Sequence, residues 1–130
     1  MADKSFKYII VEDSYFQSLS LRIALAQLRP CMTLAGVADD IQGALGLLRH
    51  GDVDLVFTKQ SVCDGNVTED FKRLGIKVPL IVISESNDFI GDEGINVIDS
   101  VIEPLTHDSL LRALERFEHM HRKSFQTTNQ

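Results

Sequence analysis

The sequence predicts an α/β fold in which a five-stranded parallel sheet carries helices on both faces. Three observations predict it. Short apolar runs alternate five times with stretches of helical periodicity or polar sequence. Two of those runs, Val53–Phe57 and Leu80–Ile83, are nearly continuous rather than alternating, as strands covered on both sides are. The chain has 130 residues, the size of one domain with a substantial core.

Each element has its own signal. Lys7–Val11 is a short apolar run that ends in Glu12 and Asp13, the first strand and its carboxyl end. A helix follows from about Ser14, a natural cap, to Leu28, with Pro30 as its stop. Leu21, Leu25 and Leu28 repeat at helical spacing, and so do Phe16, Leu19 and Ile23. Met32–Asp39 reads as a weaker strand, helped by Thr33 and Val37 and weakened by Gly36.

Asp39 and Gln42 have capping-box spacing, and Ile41, Ala44, Leu45 and Leu48 form one helical stripe. Gly51 stands where a left-handed residue often closes a helix. The strand Val53–Lys59 follows, then a loop from Gln60 to Gly65. A third helix is expected near Asn66–Leu74, with Val67, Phe71 and Leu74 inward and Gly75 as its stop.

Val78–Ser84 is a further buried strand, with Pro79 tolerable near its start. Glu85–Gly94 is polar and specifies a helix poorly. Its acids Asp88, Asp92 and Glu93 read as a solvated face rather than a calcium site. The last strand is centred on Val97–Ile102 and closed by Glu103-Pro104. Thr106 caps a final helix whose inner stripe is Leu110, Leu111, Leu114 and Phe117. Residues 1–123 thus make the domain, and 124–130 a polar tail or linker.

Composition narrows the function. The net charge of −6 argues against a dominant nucleic-acid or anionic-membrane surface. Cys31 and Cys63 are too few for a disulfide framework, and the polar start is no signal peptide, so a reduced cytoplasmic setting is expected. No apolar run is long enough to span a bilayer. No Gly-rich phosphate loop appears, and His50, His107, His119 and His121 form no credible catalytic or metal pair.

The chemistry-bearing residues collect at one place. In an open parallel sheet, ligands and reactions gather at the carboxyl ends of the strands. Glu12 and Asp13, Lys59, Ser84 and Glu103 all stand there. Across residues 6 to 123 the chain resembles the receiver domains of two-component response regulators, the chemotaxis-receiver type of flavodoxin-like fold. The acid pair Glu12-Asp13 carries the resemblance, with Ala38-Asp39-Asp40, the stretch Gly51-Asp-Val-Asp-Leu-Val, Ser84 and Pro104. It implies strand order 2-1-3-4-5 and a role in phosphorelay signalling.

The departures fall on the reactive centre. The position of the family's phosphoacceptor aspartate holds Lys59, and that of its lysine before the proline holds Glu103. Ser100 occupies the aromatic switch position. Acid and base have changed places while the cluster's formal charge is kept. A protonated amine has no lone pair to attack phosphorus, and its charge repels the metal that the acid pair would hold. The resemblance therefore implies a pseudo-receiver with no catalytic residue, no cofactor, and no Mg²⁺ site unless Glu12 and Asp13 alone supply one.

Lys59 has two readings: an ammonium tied to Glu12, Asp13 and Glu103, or a side chain reaching into solvent unpaired. A one-residue register slip would bring up Thr58, still not an acid. Asp64, in the adjacent loop, is the local acid that could replace the acceptor. Output would come from contact with a signalling protein or an attached output domain, or from homodimerisation. The expected face carries Asp92, Glu93 and Asp99 opposite Arg112, Glu115, Arg116, His119 and Arg122. A phosphorylatable receiver and a flavodoxin-like small-ligand-binding domain are the alternatives.

Overall fold

The structure, a computed structural model, describes residues 5–85 and 94–128, with side chains of the last helix as far as residue 121. Its elements are β1 (Lys7–Val11), α1 (Tyr15–Leu28), β2 (Thr33–Ala38), α2 (Ile41–His50), β3 (Leu55–Lys59), β4 (Ser61–Val62), β5 (Gly65–Asn66), α3 (Val67–Arg73), β6 (Pro79–Ser84), β7 (Asn96–Ile102) and α4 (His107–Thr128). The main sheet is wholly parallel, in the order β2-β1-β3-β6-β7. By position that is second, first, third, fourth and fifth strand, the expected doubly wound arrangement.

Strand alternation divides the core into two layers. Tyr8, Ile10, Leu55, Phe57, Ile81 and Ile83 face one way, onto Leu21 and Leu25 of α1 and Leu110, Leu114 and Phe117 of α4. Ile9, Val11, Val56, Leu80 and Val82 face the other, onto Ile41 and Ala44 of α2 and Val67 and Phe71 of α3. A bidentate Arg29–Glu118 pair, at 2.6 and 2.9 Å, clips the end of α1 to α4.

Several local expectations are corrected. On α1 only one of the two apolar stripes is buried: Phe16 is 79% and Ile23 53% exposed. The cap of α2 is Asp40, whose carboxylate accepts from the Gly43 amide at 2.7 Å; Asp39 does not cap it. Gly51 is extended (φ −143°), not left-handed. Leu74 is exposed rather than inward, because α3 ends at Arg73. Gly75 does terminate that helix, with φ +72°.

Gly36 is no mere weak point of its strand. A Cβ there would lie 2.6 Å from a terminal methyl of Leu47 of α2, so the glycine leaves room for that side chain against the strand. The loop after β3 is a small antiparallel hairpin, β4 with β5. Thr106 caps α4 as expected: its hydroxyl accepts from the Ser109 amide at 3.1 Å. Leu111 is half-buried, and Ala113 joins Leu110, Leu114 and Phe117 inside. The α4 backbone stays helical to Thr128, into the stretch that the sequence sets apart as a tail. Asp88, Asp92 and Glu93, and the side chain of Arg122, lie outside the described residues.

Candidate functional site

Parallel strands bring all their carboxyl ends to one edge, and register decides which residues meet there. Val11 pairs with Thr58, Lys59 with Ile83, and Ser84 with Ile102. By this register Glu12, after β1, stands level with Lys59, and Glu103, after β7, stands one residue beyond Ser84. Two further bonds hold these ends: the Glu12 amide donates to the Ala38 carbonyl (2.9 Å), and the Glu103 amide to the Ser84 carbonyl (2.8 Å).

The Lys59 ammonium lies 3.4 Å from Asp13 Oδ1 and 3.8 Å from Glu12 Oε2. Its side chain is 32% exposed, so it bends over the acid pair instead of extending freely into solvent. Glu12 is the buried member, at 6% exposure, and its Oε2 also accepts from the Ser14 amide at 3.0 Å. Among the described residues, Glu103 makes no ion pair with Lys59 and acts on it only through its field.

The electrostatics follow from burial and charge. Loss of hydration lowers the Lys59 pKa, but the carboxylates of Glu12, Asp13 and Glu103 outweigh it, and the pKa is raised above 10.5. The group is an ammonium at neutral pH. Burial raises the Glu12 pKa above 4.5, against the opposing pull of the Ser14 amide and Lys59; Asp13 raises it further. A carboxylate that costs something to ionise is thus held beside a cation that stays charged.

This donor set does not fit a divalent cation. Magnesium asks for an octahedron of oxygens, and here an ammonium stands within 4 Å of both acids. Among the described residues no group of three His, Cys, Asp or Glu side chains is arranged to hold a metal ion. Asp64 is occupied elsewhere. Its two carboxylate oxygens accept from the amides of Ile41 (2.8 Å) and Gln42 (3.3 Å), making it a second cap on α2.

Away from the cluster, Ser100 is half-buried opposite Val82 of β6, and its amide donates to Asp99 Oδ1 at 2.9 Å. Asp99 gathers Arg112 of α4 at 3.3 Å and Arg116 of the same helix at 3.5 Å. Much of the charge expected to meet a partner is thus paired within the chain. Glu115 and His119 join both arginines, Ile98 and Met120 around a shallow groove of about 490 Å³.

Sequence reasoning missed two features. The Asp64 cap spans more than twenty residues of chain, and no local pattern announces it. Tyr15 and Phe16, the first two residues of α1, form an exposed edge-to-face pair. The signal for the latter was present, in that Phe16 and Ile23 lie on a helix side that excludes Leu21 and Leu25.

No protein-family model and no curated protein sequence matches the chain. Solved structures do. The signal receiver domain of an HD domain-containing protein from Pseudomonas fluorescens Pf-5 is 22% identical, covering 95% of each chain with a TM-score of 0.79. That of a modulated diguanylate cyclase from Desulfovibrio desulfuricans G20 is 24% identical, covering 93% of this chain and 99% of that one at 0.76. The anti-anti-sigma factor PhyR from Bartonella quintana is 12% identical at 0.77; the match takes in 97% of this chain and only 52% of PhyR's. The chain has the receiver-domain fold. Among the described residues no helix is long and apolar enough to cross a membrane.

Proposed function

We propose that this receiver-fold chain is a non-catalytic signalling module of two-component type, working by protein contact without taking a phosphoryl group. One observation carries the reading: Lys59 ends β3 with its ammonium 3.4 and 3.8 Å from the acid pair. Phosphoryl transfer to such a site needs a nucleophilic carboxylate and a countercharge on the transferring group. The nucleophile is replaced by an ammonium, and that same ammonium fills the cation's place. Asp64 is no ready substitute, since both its oxygens bind helix amides. The module needs no cofactor, and it works in the cytoplasm. Incubation with a small phosphodonor and magnesium should leave the intact mass unchanged. A stoichiometric, acid-stable gain of one phosphoryl group would overturn the reading.

Contact runs through the β7–α4 face, to a signalling protein, an output domain or a second copy. The support is the groove itself, where exposed Met120 lies beside Arg112, Glu115 and Arg116. Acid and base alternate there, so the face complements a copy of itself about a two-fold axis. Arg116→Glu would set a carboxylate against Asp99 and against a facing Glu115. Sedimentation should show a dimer for the wild type and a monomer for this variant. An unchanged oligomeric state would remove the face from consideration.

A further inference from the structure

Between α1 and the β1–β2 side of the sheet, a groove of about 360 Å³ holds a polar group that no described residue hydrogen-bonds. Tyr8 lines it and is only 4% exposed, with its ring edge-on to Phe57. Among the described residues nothing hydrogen-bonds its hydroxyl. No fully occluded side-chain polar atom is left without a partner among the described residues, so this hydroxyl keeps some exposure, and its residue lines the groove. Burial raises the phenol's pKa above 10.0, against the pull of Arg22, so at neutral pH it is a donor.

Arg22 stands at the rim of the same groove, and among the described residues no carboxylate pairs with it. Leu19, Ile23, Met32 and Leu34 supply apolar walls. Among the described residues an exposed arginine with no carboxylate partner and a phenol hydroxyl with no hydrogen bond thus share one groove. Small-ligand sites combine apolar walls with a few convergent polar groups, and this volume lies within their usual range of roughly 300–1,000 Å³.

We infer that the groove binds a small amphipathic monocarboxylate. Its carboxylate would rest on the Arg22 guanidinium and the Tyr8 hydroxyl, and its aliphatic tail on Leu19, Ile23, Met32 and Leu34. A charge-assisted bond to Arg22 sets the head, and apolar burial sets the tail. The inference does not depend on the state of Lys59, which lies at the carboxyl edge of the sheet.

The test is an amide chemical-shift titration of the full chain with sodium hexanoate, using hexanol as the uncharged probe. Hexanoate should give saturable shifts centred on residues 19–34, with hexanol about tenfold weaker. Arg22→Gln should weaken hexanoate about tenfold. Tyr8→Phe, which removes no intramolecular bond and keeps the core, should weaken it about fivefold. Absence of saturable shifts, equal binding of hexanol, or unchanged affinity in Arg22→Gln would each overturn the inference. So would shifts in residues 19–34 that depend on protein concentration alone, since the groove would then seat a second copy.

Discussion

Replacing Lys59 with alanine is expected to destabilise the domain by about 1–3 kcal/mol near neutral pH, and much less in acid. The bounds come from two limits. Exposed ion pairs contribute about 0–1 kcal/mol, and breaking a buried pair by removing one partner costs about 3–5 kcal/mol. This pair lies between them, because Glu12 is buried and Lys59 about one-third in solvent.

The pH dependence has a definite sign. Glu12 has a folded-state pKa above 4.5, so the fold favours its protonated form. That contribution is fully present below 4.5 and is lost as pH rises through the raised value. Lys59 is one of the influences holding that value down. Without it the Glu12 pKa rises further, and ionising the buried carboxylate costs more. The gap between variant and wild type should therefore open as pH climbs past the Glu12 titration. Lys59 itself, raised above 10.5, gives up its own contribution only in strong alkali. Adding Glu12→Gln should recover most of the loss, because the amide has no charge to strand. Urea denaturation across pH measures all three proteins. A Lys59→Ala protein as stable as the wild type at neutral pH would mean that Lys59 and the acids do not interact energetically.

How much of this was legible depends on the kind of signal. The β3 and β6 runs are apolar on both strand faces, so they read as central strands and are central. On α2 a single stripe made the inward side unambiguous, and Ile41 and Ala44 are buried. The first helix shows two stripes, and periodicity cannot say which one the sheet takes. Its inner side also includes Ser18, buried with its hydroxyl donating to the Tyr15 carbonyl at 3.0 Å, which blurs the hydrophobic signal. Contacts between distant segments left no trace. Arg29 and Glu118 are 89 positions apart, and nothing near either residue announces the pair.

The candidate site divides the same way. Strand ends fix backbone positions, so Glu12, Asp13, Lys59, Ser84 and Glu103 could be placed together from sequence. Side-chain reach is a separate matter. It brings Lys59 onto Glu12 and Asp13, and leaves Glu103 acting through space. Capping is similarly underdetermined: Asp39, Asp40 and Asp64 all had the right chemistry for α2, and tertiary geometry selected the last two.

If the Lys59 ammonium occupies the place of a divalent cation, exchanging it for an acid should create a metal site. Lys59→Asp would put a third carboxylate beside Glu12 and Asp13, within an edge where Glu12 already resists ionisation because it is buried. In metal-free buffer the variant should be less stable than wild type, as like charges crowd together. Magnesium should reverse this, because three carboxylates supply the oxygens that its octahedron needs. An ion that binds only the folded state stabilises it by about 1.4 kcal/mol at ten times its dissociation constant. In a domain this size that is a rise of about 3–8 °C in melting temperature. Magnesium should leave the wild-type melting temperature unmoved. Equal response in the two proteins, or none in the variant, would show that Lys59 does not stand in a cation's place. Binding the metal should still not make the variant a good phosphoacceptor. Glu103 keeps a negative charge where a transferring phosphoryl group would need a positive one, so covalent labelling should require Glu103→Lys as well.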